Sequence, residues 1–400
     1  MKNIRVLDFS KVLAGPLCTQ YLADMGADVV KVESIGSGDD SRRWPPFAGN
    51  GPQDLFGTPF LAANRGKRSI ALDLKSLEGR SLCHKLAQRS DVVVESFGPG
   101  VASRLRVDYE SLKEVNPKLI YCSISGYGST GPMKSGKGYD VILQAFTGML
   151  SITGEPGGLS VRSPFSPVDQ ATGLHGLIGI LAALYERKDT GLGQKVEVSL
   201  FDTATAFLGY FLQGFWERGT EPEKPGSGHE SLCPYEVFSA KDKPVILGVA
   251  NDSLWRKFCA LAGLEKYVDD PRFNTNANRV THRQETVALV REAMAKHTSE
   301  HWIAKLDEAG IPCSPLHGLR DLSEHPHTEA VEMIRSYPHP KLGDVRTVSQ
   351  PVRFSGQRAP IRRHAPMLGE HTREVLAEIG CSEQDVAELA SRRLINVYED

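Results

Sequence analysis

The stretch KNIRVLDFSKVLAGPLCTQYLADMGADVVKVE, residues 2–33, decides the fold. Ile4 to Phe9 is a short apolar run and reads as a strand. Pro16 to Ala27 carries a helical pattern with Gly26 near its end, and Val29 to Glu33 reads as a second strand. The pattern then repeats. Ser69–Leu74 is a third strand, followed by a helix that Ser76 can cap; Asp91–Glu95 is a fourth strand and Leu119–Ile124 a fifth. Strands alternating with helices predict an α/β protein with a parallel sheet, whose ligands gather in the loops after the carboxyl ends of the strands.

Farther along, Leu174, Leu177, Ile178, Leu181 and Leu184 share one face of a helix over 169–188, and Gly173, Gly176 and Gly179 form a second stripe. Each glycine costs a helix about 1 kcal/mol relative to alanine, so close approach of another backbone is expected to repay it. Lys195–Leu200 reads as a strand and Phe201–Arg218 as one long aromatic-rich helix. Gly219–Gly228, with Pro222 and Pro225, reads as a linker. Two strand-like runs and several amphipathic helices between Pro234 and Leu322 predict a smaller α+β domain. The expected organisation is a large domain over 1–200 completed by 326–400, a linker helix and loop over 201–225, and a small domain over 226–325. The C-terminal stretch is rich in Pro, Arg and His and ends in a helical tail over Glu370–Ile379.

The 400 residues contain 47 Lys+Arg and 49 Asp+Glu, for a net charge of −2. That balance argues against a general nucleic-acid binder, which needs a basic excess. No run of about 18 apolar residues predicts a membrane span. Met1–Arg5 goes straight into the first strand with no apolar h-region, so no signal peptide is expected. The 7 cysteines are scattered without a CxxC pair, which is neither a disulfide framework nor a zinc site and fits the reducing cytoplasm. Among the 12 histidines there is no HExxH, and His325-Pro326-His327 is better suited to a loop than to a metal, so no metal is expected.

A βαβ start invites a dinucleotide, but the turn Ser10-Lys11-Val12-Leu13-Ala14-Gly15-Pro16 is not GxGxxG, although Glu33 ends the second strand where a ribose-binding acid would lie. No P-loop motif is present. In Gly126-Tyr127-Gly128-Ser129-Thr130-Gly131 a tyrosine takes the place of the first glycine of a nucleophile elbow. Asp169 opens the glycine-striped helix. From position alone it is either a helix N-cap or a nucleophile served by nearby N–H groups.

A series of short motifs runs in order along nearly the whole chain. It opens with Val6-Leu7-Asp8-Phe9 with Ala14-Gly15-Pro16, Val30-Lys31-Val32-Glu33 with Gly38-Asp39, and Asn64-Arg65-Gly66-Lys67-Arg68-Ser69-Ile70. It continues through Val94-Glu95 with Pro99-Gly100, Ser125-Gly126-Tyr127-Gly128, Asp169 with Thr172-Gly173, and Thr190-Gly191-Leu192-Gly193-Gln194. Pro312-Cys313 and Leu368-Gly369-Glu370-His371-Thr372 complete it. In this order and spacing the chain resembles class III CoA-transferases, the family of formyl-CoA transferase, the carnitine CoA-transferases and alpha-methylacyl-CoA racemase.

The resemblance implies a Rossmann-like large domain, a small domain, and an interlocked homodimer with which the glycine stripe is consistent. It assigns Asp169 as the nucleophile that forms an aspartyl mixed anhydride and then an aspartyl-CoA thioester. CoA and acyl-CoA are substrates, and no cofactor, ATP or metal is needed. It places Lys11, Val12, Lys75, Phe97, Arg104 and Lys137 at CoA, where cations suit phosphates and an aromatic or apolar group suits adenine. Gly226-Ser227-Gly228-His229 matches the family's glycine loop but is shorter. Tyr139, before Asp140, replaces the racemase histidine and disfavours a racemase or epimerase. Leu13 and Ser34 replace a glutamine and an arginine of formyl-CoA transferase, which disfavours formyl and oxalyl substrates. Pro225–Phe238 is similar to the branch using succinyl-CoA and dicarboxylic acids. Arg42, Arg43 and Arg162 are the candidate partners for a distal carboxylate, each otherwise an exposed ion pair. A CoA-binding protein without catalysis is the remaining reading.

Overall fold

The computed structural model describes residues 1–398. The chain divides into two compact units. The larger comprises Met1–Met149, Ser163–Gly214 and the chain from Glu329 onward; the smaller comprises Leu150–Arg162 and Phe215–Thr328. Leu150–Arg162, inside the stretch expected as large domain, therefore groups with the smaller unit, and the stretch 201–225 divides between the two.

The larger unit is built on strands β1 (Arg5–Asp8), β2 (Asp28–Glu33), β3 (Arg68–Leu72), β4 (Val92–Glu95), β5 (Ile120–Ser125) and β6 (Lys195–Ser199). They are parallel and stand in the order β3-β2-β1-β4-β5-β6. A short C-terminal strand, Ile395–Asn396, pairs antiparallel with β3 at one edge. The order reverses between β1 and β4, which makes the carboxyl end of that pair the topological switch point. Leu7 pairs with both Val30 and Val93.

Both sheet faces are buried, so the central strands are apolar at consecutive positions rather than alternating. Leu7, Val30, Ile70 and Val93 pack with Leu82 and Leu86 of the helix Leu77–Gln88 and with Val375 and Leu376 of the helix Thr372–Glu378. Val6, Val29, Val92 and Ile120 face the other way, toward Cys18 and Leu22 of the helix Ala14–Asp24 and Leu177 and Ile180 of the helix Pro167–Thr190. Ser76 does cap its helix, accepting from the Gly79 N–H at 2.9 Å.

The glycine stripe is explained within this unit. A Cβ on Gly173 would lie 2.4 Å from the Ala14 carbonyl oxygen, and one on Gly179 2.6 Å from Val196 Cγ1; Gly176 faces the Cys18 and Cys122 sulfurs and Ile124. The expected apolar face is thus only partly the buried one: Leu177 is in the core, while Leu174 and Ile178 are exposed. Small residues take the core side because they let two helix backbones and a strand approach more closely than leucine allows. The expected single helix over Phe201–Arg218 is two helices, Leu200–Phe207 and Gly209–Arg218, separated at Leu208 beside a glycine.

In the smaller unit β7 (Tyr235–Ser239), β8 (Pro244–Gly248) and β9 (Cys313–Pro315) form an antiparallel sheet. Its core holds Phe238, Leu247, Trp255, Phe258 and Trp302, and the Trp302 indole N–H donates to the Met294 carbonyl at 2.8 Å.

Gly173→Ala is expected to lower the melting temperature although alanine is the better helix former by about 1 kcal/mol. Forcing a methyl against a backbone carbonyl costs roughly 1–3 kcal/mol. A thermal melt with an unchanged or raised midpoint contradicts the close-approach explanation.

Candidate active site

Loops from three neighbouring strands meet at the carboxyl end of β1. The Lys11 N–H donates to Ser96 Oγ after β4 at 3.0 Å, and the Val12 N–H reaches both Asp39 carboxylate oxygens after β2 at 3.1 and 3.3 Å. Val12 has a φ of +70°, in the left-handed region that β-branched residues avoid. Leu13 precedes the helix Ala14–Asp24. Phe97 packs on Phe9 with ring centroids 6.0 Å apart, and its N–H donates to the buried Glu95 carboxylate at 2.7 Å. Lys75, Arg104 and Lys137 are exposed on the segments that follow β3, β4 and β5.

The helix Pro167–Thr190 begins without a side-chain cap of its own. Its cap comes from a distant part of the sequence. The Oδ2 of Asp140 accepts the Val168 N–H at 2.8 Å and the Asp169 N–H at 3.0 Å. Asp169 is therefore not the N-cap. It sits inside the first turn, and Asp140 performs the capping. Asp140 is only 5 % exposed, and its other oxygen accepts from the Gln144 amide. Gln144 Oε1 in turn accepts the Ser163 N–H at 2.9 Å, which fixes the approach to the helix.

Two close approaches place Asp140. The backbones of Gly126 and Gly138 stack so tightly that a Cβ on Gly126 would lie 2.7 Å from the Gly138 nitrogen. Phe146, at the end of the helix Asp140–Phe146, meets Tyr127 and Phe201 edge-on at 5.2 and 6.0 Å.

The Asp169 carboxyl accepts no hydrogen bond among the described residues. Burial, and then the neighbouring Asp140 charge, push its pKa up to about 7. A carboxyl in these surroundings is a stronger base than an exposed one and is poorly solvated, both of which favour nucleophilic attack.

The remaining candidates are dispersed. Arg42 is no exposed ion pair and is not available to a substrate. It is fully buried, holds Glu33 through Nε and Nη2 at 2.8 and 2.7 Å, donates to the Pro366 carbonyl, and lies over the Phe60 ring at 3.6 Å. That pairing also accounts for Glu33, the acid in the ribose position. Arg43 is exposed and donates to the Gly36 carbonyl at 3.2 Å. Tyr139 is 63 % exposed. In the smaller unit, Arg162 is exposed, the Gly226 N–H donates to the Gly154 carbonyl at 3.0 Å, and the Gly228 N–H to the Pro225 carbonyl at 2.8 Å. The His229 ring accepts the Ser231 N–H at 3.1 Å and lies 5.6 Å from the Tyr235 ring. Among the described residues no group of three or more His, Cys, Asp or Glu is gathered for a metal ion.

The larger unit thus presents an open parallel α/β sheet, a partly buried carboxyl in the first turn of a helix, and basic side chains on the segments that follow its strands. The profile of CoA-transferase family III matches residues 1–372. The chain belongs to this family, and it is an enzyme of the transferase class. It is similar to an acyl-CoA transferase of Fusarium pseudograminearum, at 40 % identity over 395 residues, 97 % of this chain and 86 % of that protein. It is similar also to the succinyl-CoA:glutarate CoA-transferase of Homo sapiens, at 32 % identity over 401 residues, 100 % of this chain and 90 % of that protein. A crystal structure of a CAIB/BAIF family protein from Brucella suis superposes with a TM-score of 0.83 at 35 % identity, over 94 % of this chain and 98 % of that one.

A carboxyl whose folded pKa lies above its ordinary value favours the folded state fully below that ordinary value and loses this contribution as pH rises through the folded value. Asp169→Asn is therefore expected to melt a few degrees above wild type near pH 8, with the gap closing near pH 4. Equal melting temperatures near pH 8 contradict the raising of the Asp169 pKa by burial and the Asp140 charge.

Proposed function

We propose that this enzyme moves CoA from succinyl-CoA to a small dicarboxylic acid, with Asp169 as the nucleophile. The observation that carries the reading is the Asp169 carboxyl, unbonded, raised toward neutral pKa and seated beside the Asp140-capped helix end. The similarity to a succinyl-CoA:glutarate CoA-transferase supports the donor and the class of acceptor.

Asp169 in its carboxylate form attacks the thioester carbonyl, the C–S bond breaks, and CoA leaves as thiolate with an acyl-aspartyl anhydride left behind. The thiolate attacks the aspartyl carbonyl and expels the donor acid as carboxylate, leaving an aspartyl-CoA thioester. The acceptor carboxylate attacks that thioester and again releases thiolate. The thiolate then takes the acceptor acyl group and restores Asp169. Each step exchanges one activated acyl bond for another and no net proton is consumed, so neither ATP nor a metal is required.

Lys11, Val12, Lys75, Phe97, Arg104 and Lys137 hold CoA in this reading. Their position on the segments that follow the carboxyl ends of β1, β3, β4 and β5 supports it. In the larger unit Leu13, Tyr139 and Asp140 are assigned to the acyl pocket, and in the smaller unit Gly226, Gly228 and His229 are assigned to the family's glycine loop. The protein works as an interlocked homodimer. Support comes from the apolar side chains Leu174, Ile178 and Tyr185, exposed in one stripe on the long helix. All seven cysteines are free and five are buried, which supports a reducing compartment, the cytoplasm.

Asp169→Ala is expected to lower turnover by about a thousandfold or more, since what remains is catalysis by binding alone. In the wild type, kcat/KM is expected to rise with pH through about 7 as Asp169 loses its proton. A variant that keeps activity near wild type overturns the nucleophile.

The distal carboxylate of the acceptor needs a cation, and with Arg42 committed to Glu33 the candidates are Arg43 and Arg162. At least one of Arg43→Ala and Arg162→Ala is expected to lower kcat/KM for a dicarboxylate relative to a monocarboxylate of equal length by about tenfold, the loss of one charge-assisted bond. A flat ratio in both variants removes the physical support for the dicarboxylate.

A further inference from the structure

Val12 adopts a conformation that its side chain disfavours, and a buried acid holds it there. Asp39 is fully buried and accepts the Val12 N–H with both carboxylate oxygens. The acid is itself gripped from several sides. Lys31 Nζ pairs with Asp39 Oδ2 at 2.9 Å, Ser41 Oγ donates to Oδ1 at 2.7 Å, and the Ser41 N–H donates to Oδ1 at 3.0 Å. The Asp39 N–H donates to Glu33 Oε2 at 2.9 Å, and Glu33 is locked to Arg42. Lys31 reaches a second point on the same loop, donating to the Ser10 carbonyl at 2.7 Å. The loop Ser10–Leu13 is thus held at residue 10 by Lys31 and at residue 12 by Asp39, and these two holders are an ion pair buried without solvent.

A charge pair in a dry interior is costly to assemble and stabilises a fold no better than apolar packing of similar volume. A left-handed β-branched residue adds further strain. Structural economy explains neither. Together they define one partly buried loop shape at the switch point of the sheet, where ligands of open α/β folds bind.

We propose that Asp39 is a positioning residue for acyl-CoA: through the Val12 N–H it holds the Ser10–Leu13 loop in its left-handed turn and so presents Lys11 and Val12 to the CoA moiety. The assignment rests on the reading of that loop as part of the CoA site. Asp39 itself touches no substrate and acts only through Val12. It stays a carboxylate over the whole working range, its pKa lowered to about 2, with Lys31 and the Ser41 hydrogen bonds outweighing the cost of burial.

The test measures CoA affinity by titration calorimetry, kcat and KM for succinyl-CoA, and melting temperature, in five variants. Val12→Pro lacks the N–H and cannot take a positive φ. It leaves the buried pair untouched and is expected to weaken CoA binding about tenfold. Asp39→Asn is expected to raise KM and the CoA dissociation constant by a similar factor with kcat changed far less. Ser41→Ala, which removes one donor to Asp39 and spares the ion pair, is expected to shift the same constants a few-fold in the same direction. It carries the test if Asp39→Asn does not fold.

The decisive readout is coupling. Glycine takes a positive φ without strain, so the loss caused by Asp39→Asn, measured relative to Val12→Gly alone, is expected to shrink at least threefold in the double variant. A purely structural role for Asp39 would lower the melting temperature and leave that coupling at zero, and this result overturns the proposal. If Val12→Pro leaves CoA affinity unchanged, the loop is not part of the CoA site and the functional reading of Lys11 and Val12 fails first. If Val12→Pro weakens CoA and neither Asp39→Asn nor Ser41→Ala does, that reading stands and Asp39 is not its positioning residue.

Discussion

Two N–H groups at the start of the helix Pro167–Thr190 need an acceptor, and the chain supplies one from a different segment. Asp140 takes both, which puts one carboxylate within the first turn of a helix that already carries another, Asp169. Asp140 is satisfied by the helix N–H groups and the Gln144 amide; Asp169 has no such partner among the described residues, and burial, with the Asp140 charge added, pushes its pKa up. The same contact therefore does two things. It fixes the backbone on which Asp169 is carried, and it raises the energy of the Asp169 carboxylate relative to its neutral form. The close stacking of Gly126 on Gly138 and the rings of Tyr127, Phe146 and Phe201 serve this contact by delivering Asp140 to the helix end.

On the other side of the β1 loop the solution is the opposite. Asp8, Glu33 and Asp39 are buried against Lys31, Arg42 and Lys67, three carboxylates with three cations. Desolvation pulls the Lys67 ammonium down to about 8, and Asp8 holds it up against that pull. Every carboxylate there has its cation and its hydrogen bonds, so this part of the molecule is suited to rigidity. Asp169, where reactivity is useful, has by contrast neither a cation nor a hydrogen bond on its carboxyl among the described residues. Charge pairing in one region and withheld pairing in the next are two uses of the same buried environment.

Much of this was legible in the sequence, and what escaped it has physical causes. The parallel strands were readable because strands buried on both faces form consecutive apolar runs. The glycine stripe was readable as a close approach, but its partner was not, because Ala14 lies far away in sequence. The buried face of the long helix was misjudged for a related reason: periodicity weights leucine, whereas this interface is set by glycine and threonine. Asp169 could be singled out by position, but its N-cap reading failed because the cap is supplied by Asp140, a residue that local spacing cannot connect to it. Arg42 resembled a surface cation in a polar loop. Only the fold reveals that Glu33, nine residues earlier, turns it inward. Lys31 and Asp39 were legible as parts of two motifs, but their hold on the Val12 loop was not, because a strained valine cannot be read from a string of letters.

The central claim is that Asp169 carries the acyl group and then CoA covalently, and trapping tests it directly. Wild-type enzyme is incubated with succinyl-CoA without an acceptor, quenched with hydroxylamine and digested, and the peptide that contains Asp169 is weighed. The account predicts a hydroxamate on that peptide, located at Asp169 by fragmentation and absent when succinyl-CoA is omitted or when residue 169 is alanine. An unmodified Asp169 peptide under conditions where the enzyme turns over, or a hydroxamate on a different carboxylate, contradicts it.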